Sequence, residues 1–159
     1  MSAKTKRNNT YAQIKIQPPL LVLIHVALAF LLQWFVPLPL PVPSVVQTAG
    51  FLLALLGFMF GLGALIAFRR ARTTLDPHGP ADRLVTFGIY RFTRNPIYLG
   101  FVFMLVGIPL NAGTYWGILL TPILVLLFDR LVIEREEGFL VHTFGEEYKD
   151  YRAKVRRWL

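Results

Sequence analysis

Apolar residues fall in long blocks along this chain, and the polar residues are gathered between them. A half-buried strand would alternate every second residue, and a soluble helix would carry its apolar side chains as a stripe. Blocks that are apolar on every side fit helices surrounded by lipid. Four such blocks predict four helices. The first covers residues 20–36; about 17 residues at ~1.5 Å each reach about 26 Å, enough to cross a hydrocarbon core. His25 and Gln33 interrupt it and are expected to form hydrogen bonds between helices. Residues 37–44, PLPLPVPS, cannot continue a helix, because repeated proline removes backbone donors and fixes an extended chain. The second block, 45–68, contains Gly50, Gly57, Gly61 and Gly63, and Gly57-x-x-x-Gly61 predicts a face where another helix packs closely.

Arg69-Arg70-Ala71-Arg72 stops that block, and residues 73–93 form a polar loop with strong turn chemistry at Asp76-Pro77-His78-Gly79-Pro80. The third block is 96–110, with Asn95 placed to cap its first turn and Pro96 suited to the first helical position. Pro109 and Asn111-Ala112-Gly113 end it, and the fourth block follows at 114–128. After Phe128 the pattern turns amphipathic and charged, so the fourth helix is expected to run on, out of the membrane, until Gly145. A last helix over 146–158 places Tyr148, Tyr151, Val155 and Trp158 on one face, resting on the membrane surface or on the loops above it. The expected fold is thus all-α and integral to the membrane. It is a single domain, 1–159, with a polar tail (1–19), four transmembrane helices (20–36, 45–68, 96–110, 114–128) and a cytoplasmic helical extension (129–159).

Composition changes this picture little. Hydrophobic residues make up 55% of the 159, which supports membrane helices over a soluble core. Without cysteine, disulfides, thiolate metal sites and a Cys nucleophile are excluded. The net charge of +8 raises the question of nucleic acid, but no aromatic–basic binding motif is present, so none is expected as a partner. Location explains the charge better. All 17 Lys and Arg lie in 1–19, 69–95 or 129–159, and all nine acidic residues lie on that same side. With four spans, the positive-inside rule puts that side, and both termini, in the cytoplasm. The three His are too dispersed for a metal site.

Charge at the edge of lipid is costly and marks function by default. Arg94 and Asn95 open the third helix, and Glu136 and Glu137 lie about two turns beyond the apolar part of the fourth. If those helices form a hairpin, a cation, an amide and two carboxylates meet at the cytoplasmic mouth. That set suits a zwitterionic or cationic ligand, with Tyr90 and Tyr98 as an aromatic wall. Each residue also has a plainer reading. Asn95-Pro96 makes a good helix start, Arg91 and Arg94 can snorkel to headgroups, and Glu136-Glu137 can be a solvated face paired with Arg130 and Arg135.

The order of these residues carries a resemblance. Leu84-Val85-Thr86-x-Gly88-x-Tyr90-Arg91-x-x-Arg94-Asn95-Pro96-x-Tyr98-x-Gly100, then Glu136-Glu137-x-x-Leu140-x-x-x-Phe144-Gly145-x-x-Tyr148-x-x-Tyr151, resembles the isoprenylcysteine carboxyl methyltransferase and phospholipid methyltransferase family. The resemblance covers about residues 45–159. It implies an integral-membrane enzyme that moves a methyl group from S-adenosylmethionine to a lipid or lipophilic small-molecule acceptor. It also implies that Arg94, Asn95, Pro96, Tyr98, Gly100, Glu136 and Glu137 border the cofactor pocket, beside Tyr90. The family often has His at Asn95 and Pro at Ile89. Asparagine does not titrate, so no catalytic imidazole is expected, and methyl transfer needs none when donor and acceptor are held in line. For a carboxylate or thiolate acceptor, Arg91 or Arg94 is the expected catalytic anchor; for an amine, Glu137 is the expected base. A lipophilic acceptor is expected to enter sideways near the second helix, where Gly61-Leu62-Gly63 weakly resembles a family glycine pair. Two other classes share these features: a non-catalytic lipid-binding or assembly protein of the same fold, and, more remotely, an NADPH-dependent lipid reductase.

Overall fold

A computed structural model describes residues 17–72 and 83–159. Among the described residues every regular element is helical. Helix α1 (Pro18–Phe35) begins with prolines at its first positions, where a missing N–H costs nothing. Helix α2 (Ser44–Ala71) begins directly after Pro43 and ends at Arg72, whose φ of 54° closes the last turn in the left-handed region. A short 3-10 turn (Gly88–Arg91) precedes α3 (Pro96–Asn111). Helix α4 (Trp116–Leu127) passes through a π-helical segment (Phe128–Ile133) into α5 (Glu134–Phe144), forming one 29-residue rod. Gly145, with φ of 54°, turns the chain into α6 (Glu146–Lys154). Residues 1–16 of the polar tail and the turn at 76–80 lie outside the described residues.

Among the described residues, three helices are long and apolar enough to cross a membrane: α1, α2 and the rod Trp116–Phe144. The remaining apolar helix, α3, is shorter at 16 residues. Large apolar side chains point outward along these helices, among them Leu23, Phe51, Phe58, Ile123 and Leu126. Such a surface has no counterpart on a soluble monomer and suits hydrocarbon.

Helix α3 is the centre of the bundle. Against α2 it packs through glycine: a Cβ on Gly57 would lie 2.5 Å from the Gly100 carbonyl oxygen, and one on Gly107 would lie 2.5 Å from the Gly50 carbonyl oxygen. Backbones can approach this closely only without side chains between them. Of the expected Gly57-x-x-x-Gly61 face, only Gly57 makes that contact; Gly61 faces open space. The seam therefore runs through Gly50 and Gly57, one face further round the helix. On its other side α3 meets α4, where Pro109 has no N–H for the Leu105 carbonyl and Gly117 of α4 packs against that oxygen instead. One core cluster joins α1 (Leu21, Val22), α3 (Tyr98, Leu105) and the rod (Leu124, Phe128, Val132, Ile133). A second seats Val85 and Tyr90 on the alanine face of α2 (Ala64, Ala67, Ala71).

Two polar details sharpen the picture. Thr114 donates to the Gln33 side-chain oxygen at 2.8 Å, so Gln33 does bond between segments. His25 bonds instead within its own helix, Nδ1 to the Leu21 carbonyl at 2.7 Å. The last helix ends at Lys154, not at residue 158, and Val155 is extended (φ −122°, ψ 132°). Residues 155–159 run on as a strap that returns to the start of α3.

Candidate functional site at the charged end

The site forms where α3 begins, and the chain there cannot be helical earlier. Pro96 forces the residue before it out of the helical region, and Asn95 sits at φ −127°, ψ 54°. Three successive residues, Thr93, Arg94 and Asn95, are thereby left with polar groups that no helix satisfies. The strap supplies the partners. Arg94 N–H donates to the Arg156 carbonyl (3.0 Å), Thr93 Oγ1 donates to the Arg157 carbonyl (3.0 Å), and Asn95 Nδ2 donates to the same oxygen (2.9 Å). Asn95 thus makes no side-chain cap on α3, contrary to expectation, because its amide is committed to the strap. Thr93 is fully buried, so these bonds are made away from water.

Arg94 and Glu137 meet as the hairpin geometry requires. Nη1 of Arg94 lies 2.9 Å from Oε1 of Glu137, with each side chain only 9% exposed. The same Nη1 is 3.3 Å from the Tyr148 hydroxyl. Arg157 takes the other side of the carboxylate, Nη2 to Oε2 at 2.7 Å and Nε to Oε1 at 3.3 Å, and reaches Asp129 Oδ1 at 3.5 Å. Glu137 is therefore held between two guanidiniums in a fork arrangement that fixes its plane. Nε of Arg94 is buried and has no partner among the described residues. A buried donor without an acceptor is costly and calls for a partner such as a water, an ion or a ligand.

Glu136 stands beside this cluster with a different environment. Its Oε1 accepts from the Tyr98 hydroxyl at 2.6 Å. It lies eight residues past Phe128, about 12 Å beyond the apolar part of the rod. Burial, which disfavours a bare charge, pushes its carboxyl up to about 7; the Tyr98 bond pulls the other way and the charge of Glu137 adds to the rise. The Tyr90 phenol is also raised, by burial first and then by the charge of Glu136. For Tyr148 burial again leads the rise, with Arg94 opposing it. Hydrogen bonding to Glu137 raises Arg157.

Of the expected site residues, Arg94, Asn95, Tyr98, Glu136 and Glu137 converge at this mouth. Pro96 is buried beneath them and shapes the turn. Tyr90 packs its ring edge-on to Phe68 (5.7 Å between centroids), and its carbonyl accepts from the Tyr151 hydroxyl at 2.7 Å. Gly100 faces the α2 seam. Arg91 is exposed and lines a separate depression of about 490 Å³ with Thr86, Glu147, Asp150, Tyr151 and Lys154. Arg130 pairs with Glu134 at 3.0 Å rather than with Glu136 or Glu137. Sequence reasoning did not single out Thr93, Asp129 or Arg157. Arg157 is one of four basic residues within 152–157, and nothing in their order distinguishes the one that turns inward. The π-helical segment that holds Asp129 likewise leaves no mark in composition.

The phospholipid methyltransferase family model matches residues 45–147, more than half of the chain, and the chain belongs to this family. It is an integral membrane protein by that membership and by its three apolar helices. A fission-yeast (Schizosaccharomyces pombe) protein named protein-S-isoprenylcysteine O-methyltransferase is 39% identical over 72 residues, 45% of this chain and 30% of that protein. Protein-S-isoprenylcysteine O-methyltransferase A of Arabidopsis thaliana is 30% identical over 116 residues, 69% of this chain and 57% of that protein. Methanethiol S-methyltransferase 1 of Bradyrhizobium diazoefficiens is 34% identical over 67 residues, 42% of this chain and 22% of that protein. These matches span less than two thirds of each relative's own length. No solved structure matches the chain.

Proposed function

We propose that this protein transfers a methyl group from S-adenosylmethionine to a lipophilic or membrane-partitioned acceptor at the cytoplasmic face. In this reading α3 is a fourth, short span and both termini are cytoplasmic, as the distribution of Lys and Arg favours. The observations that carry the proposal are the buried, unpartnered Nε of Arg94 and, next to its Glu137 partner in the chain, a Glu136 carboxyl whose charge no guanidinium among the described residues offsets. One is a donor waiting for an anion; the other is an acceptor whose charge burial opposes and a cation would favour. The donor set fits a zwitterionic cofactor that bears both a carboxylate and an ammonium.

When bound, the cofactor supplies an electrophilic methyl group on a sulfonium. The chain itself binds and orients. Arg94 offers Nε to a carboxylate, and Glu136 offers its second oxygen to an ammonium or a ribose hydroxyl. Tyr98 holds Glu136 by its hydroxyl, and the Tyr98, Phe101 and Phe128 rings pack against one another beside it. The relatives are named for methylation at oxygen or sulfur. A carboxylate or thiolate acceptor is already an anion and needs no base, whereas a thiol must first lose its proton. Glu137 supports the same choice, since both its oxygens already accept from guanidiniums. For an amine acceptor, Glu136 is the better placed base.

Calorimetric titration of the detergent-purified protein with S-adenosylmethionine tests the binding step: saturable heat is expected, strongly reduced in Arg94→Ala. Radiolabelled methyl transfer into a total lipid extract, run beside hydride transfer from NADPH, tests the chemistry. Hydride transfer without methyl transfer would replace this reading with a reductase, and neither activity with no cofactor heat would leave a lipid-binding or assembly protein.

A further inference from the structure

We infer that Arg157, carried by the strap that follows α6, is the positioning residue that holds Glu137 in place for ligand binding, and that Thr93 and Asn95 serve the site by anchoring that strap. The inference rests on the cofactor reading above. It starts from which atoms are committed. Thr93 and Asn95 are both buried, and both side chains spend a donor on one carbonyl oxygen, that of Arg157. Lifting the strap would leave two buried donors unsatisfied, so the strap is a fixed wall and not a swinging lid. Its backbone being fixed, the Arg157 side chain contacts both oxygens of Glu137 and also reaches Asp129.

The consequence for Arg94 is direct. Nη1 of Arg94 is bound to Glu137, so the orientation of the Arg94 guanidinium, and hence where its free Nε points, depends on the plane of the Glu137 carboxylate. A second observation supports the assignment. Residues 128–133 depart from α-helical to π-helical winding, and Asp129 within them meets the same guanidinium. π-helical insertions concentrate at functional sites because they re-aim side chains. Asp129 and Glu137, eight residues apart on the rod, are thus tied through Arg157, which came from another part of the chain. Arg157 is 30% exposed, so its value here is geometric rather than a gain in ion-pair energy.

The test uses S-adenosylmethionine titration of the full chain in detergent, with circular dichroism and thermal unfolding as fold controls. Wild-type saturable heat is the precondition; its absence sinks the cofactor reading and this inference with it. Given wild-type binding, Arg157→Ala is expected to weaken affinity at least tenfold, and Arg157→Lys to recover part of that loss. Arg130→Ala, which removes an exposed cation paired with Glu134, is expected to bind as wild type does. Because Arg157 acts through Glu137, Arg157→Ala together with Glu137→Gln is expected to bind no worse than Glu137→Gln alone. Unchanged affinity in Arg157→Ala, additive losses in the double variant, or tighter binding on removal of Arg157 would each overturn the assignment while leaving the cofactor reading in place. Should Arg157→Ala not fold, Arg157→Lys and Arg157→Gln carry the same comparison.

Discussion

Replacing Glu137 with glutamine removes one charge from a site where two guanidiniums depend on it. The change is nearly isosteric, so packing is kept and electrostatics alone is tested. Arg94 and Glu137 are each 9% exposed and 2.9 Å apart at their nearest atoms. With charge centres roughly 4 Å apart and an effective dielectric near 20, their attraction is about 4 kcal/mol, and breaking a buried pair by removing one partner costs about 3–5 kcal/mol. The Arg157 contribution is discounted, since that side chain is 30% exposed and screened. An amide also turns an N–H₂ toward one guanidinium, a donor facing donors. A loss of about 3 kcal/mol in unfolding free energy is therefore expected for Glu137→Gln. Unfolding in mixed micelles of increasing dodecyl sulfate content measures it, followed by tryptophan fluorescence; Trp158 packs against the core and reports on the strap. In a cycle with Arg94→Gln, a coupling of about 2 kcal/mol is expected. A loss below about 0.5 kcal/mol, the range typical of surface substitutions, would refute the claim that this pair is buried and structural.

Glu136 gives a pH prediction. Its carboxyl is raised from 4.5 to about 7, so the folded state holds a proton that the unfolded state has lost between those values. The contribution of Glu136 to stability is fully present at or below about pH 4.5 and is lost as pH rises through about 7; Glu136→Gln removes that part of the slope, as unfolding at a series of pH values would show. For the same reason, a cation bound beside Glu136 near pH 6 expels its proton, so the heat of S-adenosylmethionine binding is expected to vary with buffer ionisation enthalpy. Tyr98→Phe removes the 2.6 Å bond that stabilises the Glu136 anion, and should move both pH effects upward. Gly57→Ala puts a methyl 2.5 Å from the Gly100 carbonyl and should cost about 1–3 kcal/mol by prying α2 from α3, whereas Gly61→Ala meets nothing within 4 Å and should be neutral in the same unfolding assay. Asn95→Ala removes one of the two donors on the Arg157 carbonyl; about 1 kcal/mol of stability and faster amide hydrogen exchange in 155–159 are expected.

The apolar blocks, the proline-rich break at 37–44 and the positions of Pro96 and Gly145 determined the helices to within a few residues. These are local properties: a helix in lipid must be apolar all round, proline cannot donate, and glycine tolerates positive φ. The order of Arg94, Tyr98, Glu136 and Glu137 along the chain also pointed to the candidate site, since charge beside a span needs a reason to be there. What the sequence left open depended on a third partner. Asn95 had two equal uses for its amide, a helix cap or a distant carbonyl, and only the return of residues 155–159 decided between them. Glu136 and Glu137 are chemically identical and adjacent, yet about 100° apart around the helix. That angle gives one carboxylate two guanidiniums and leaves the other with a phenol. Arg157 was invisible among its basic neighbours because charge is a composition, whereas direction is set by the strap's hydrogen bonds. Pairings between residues forty to sixty positions apart are decided by packing, and no local pattern encodes them.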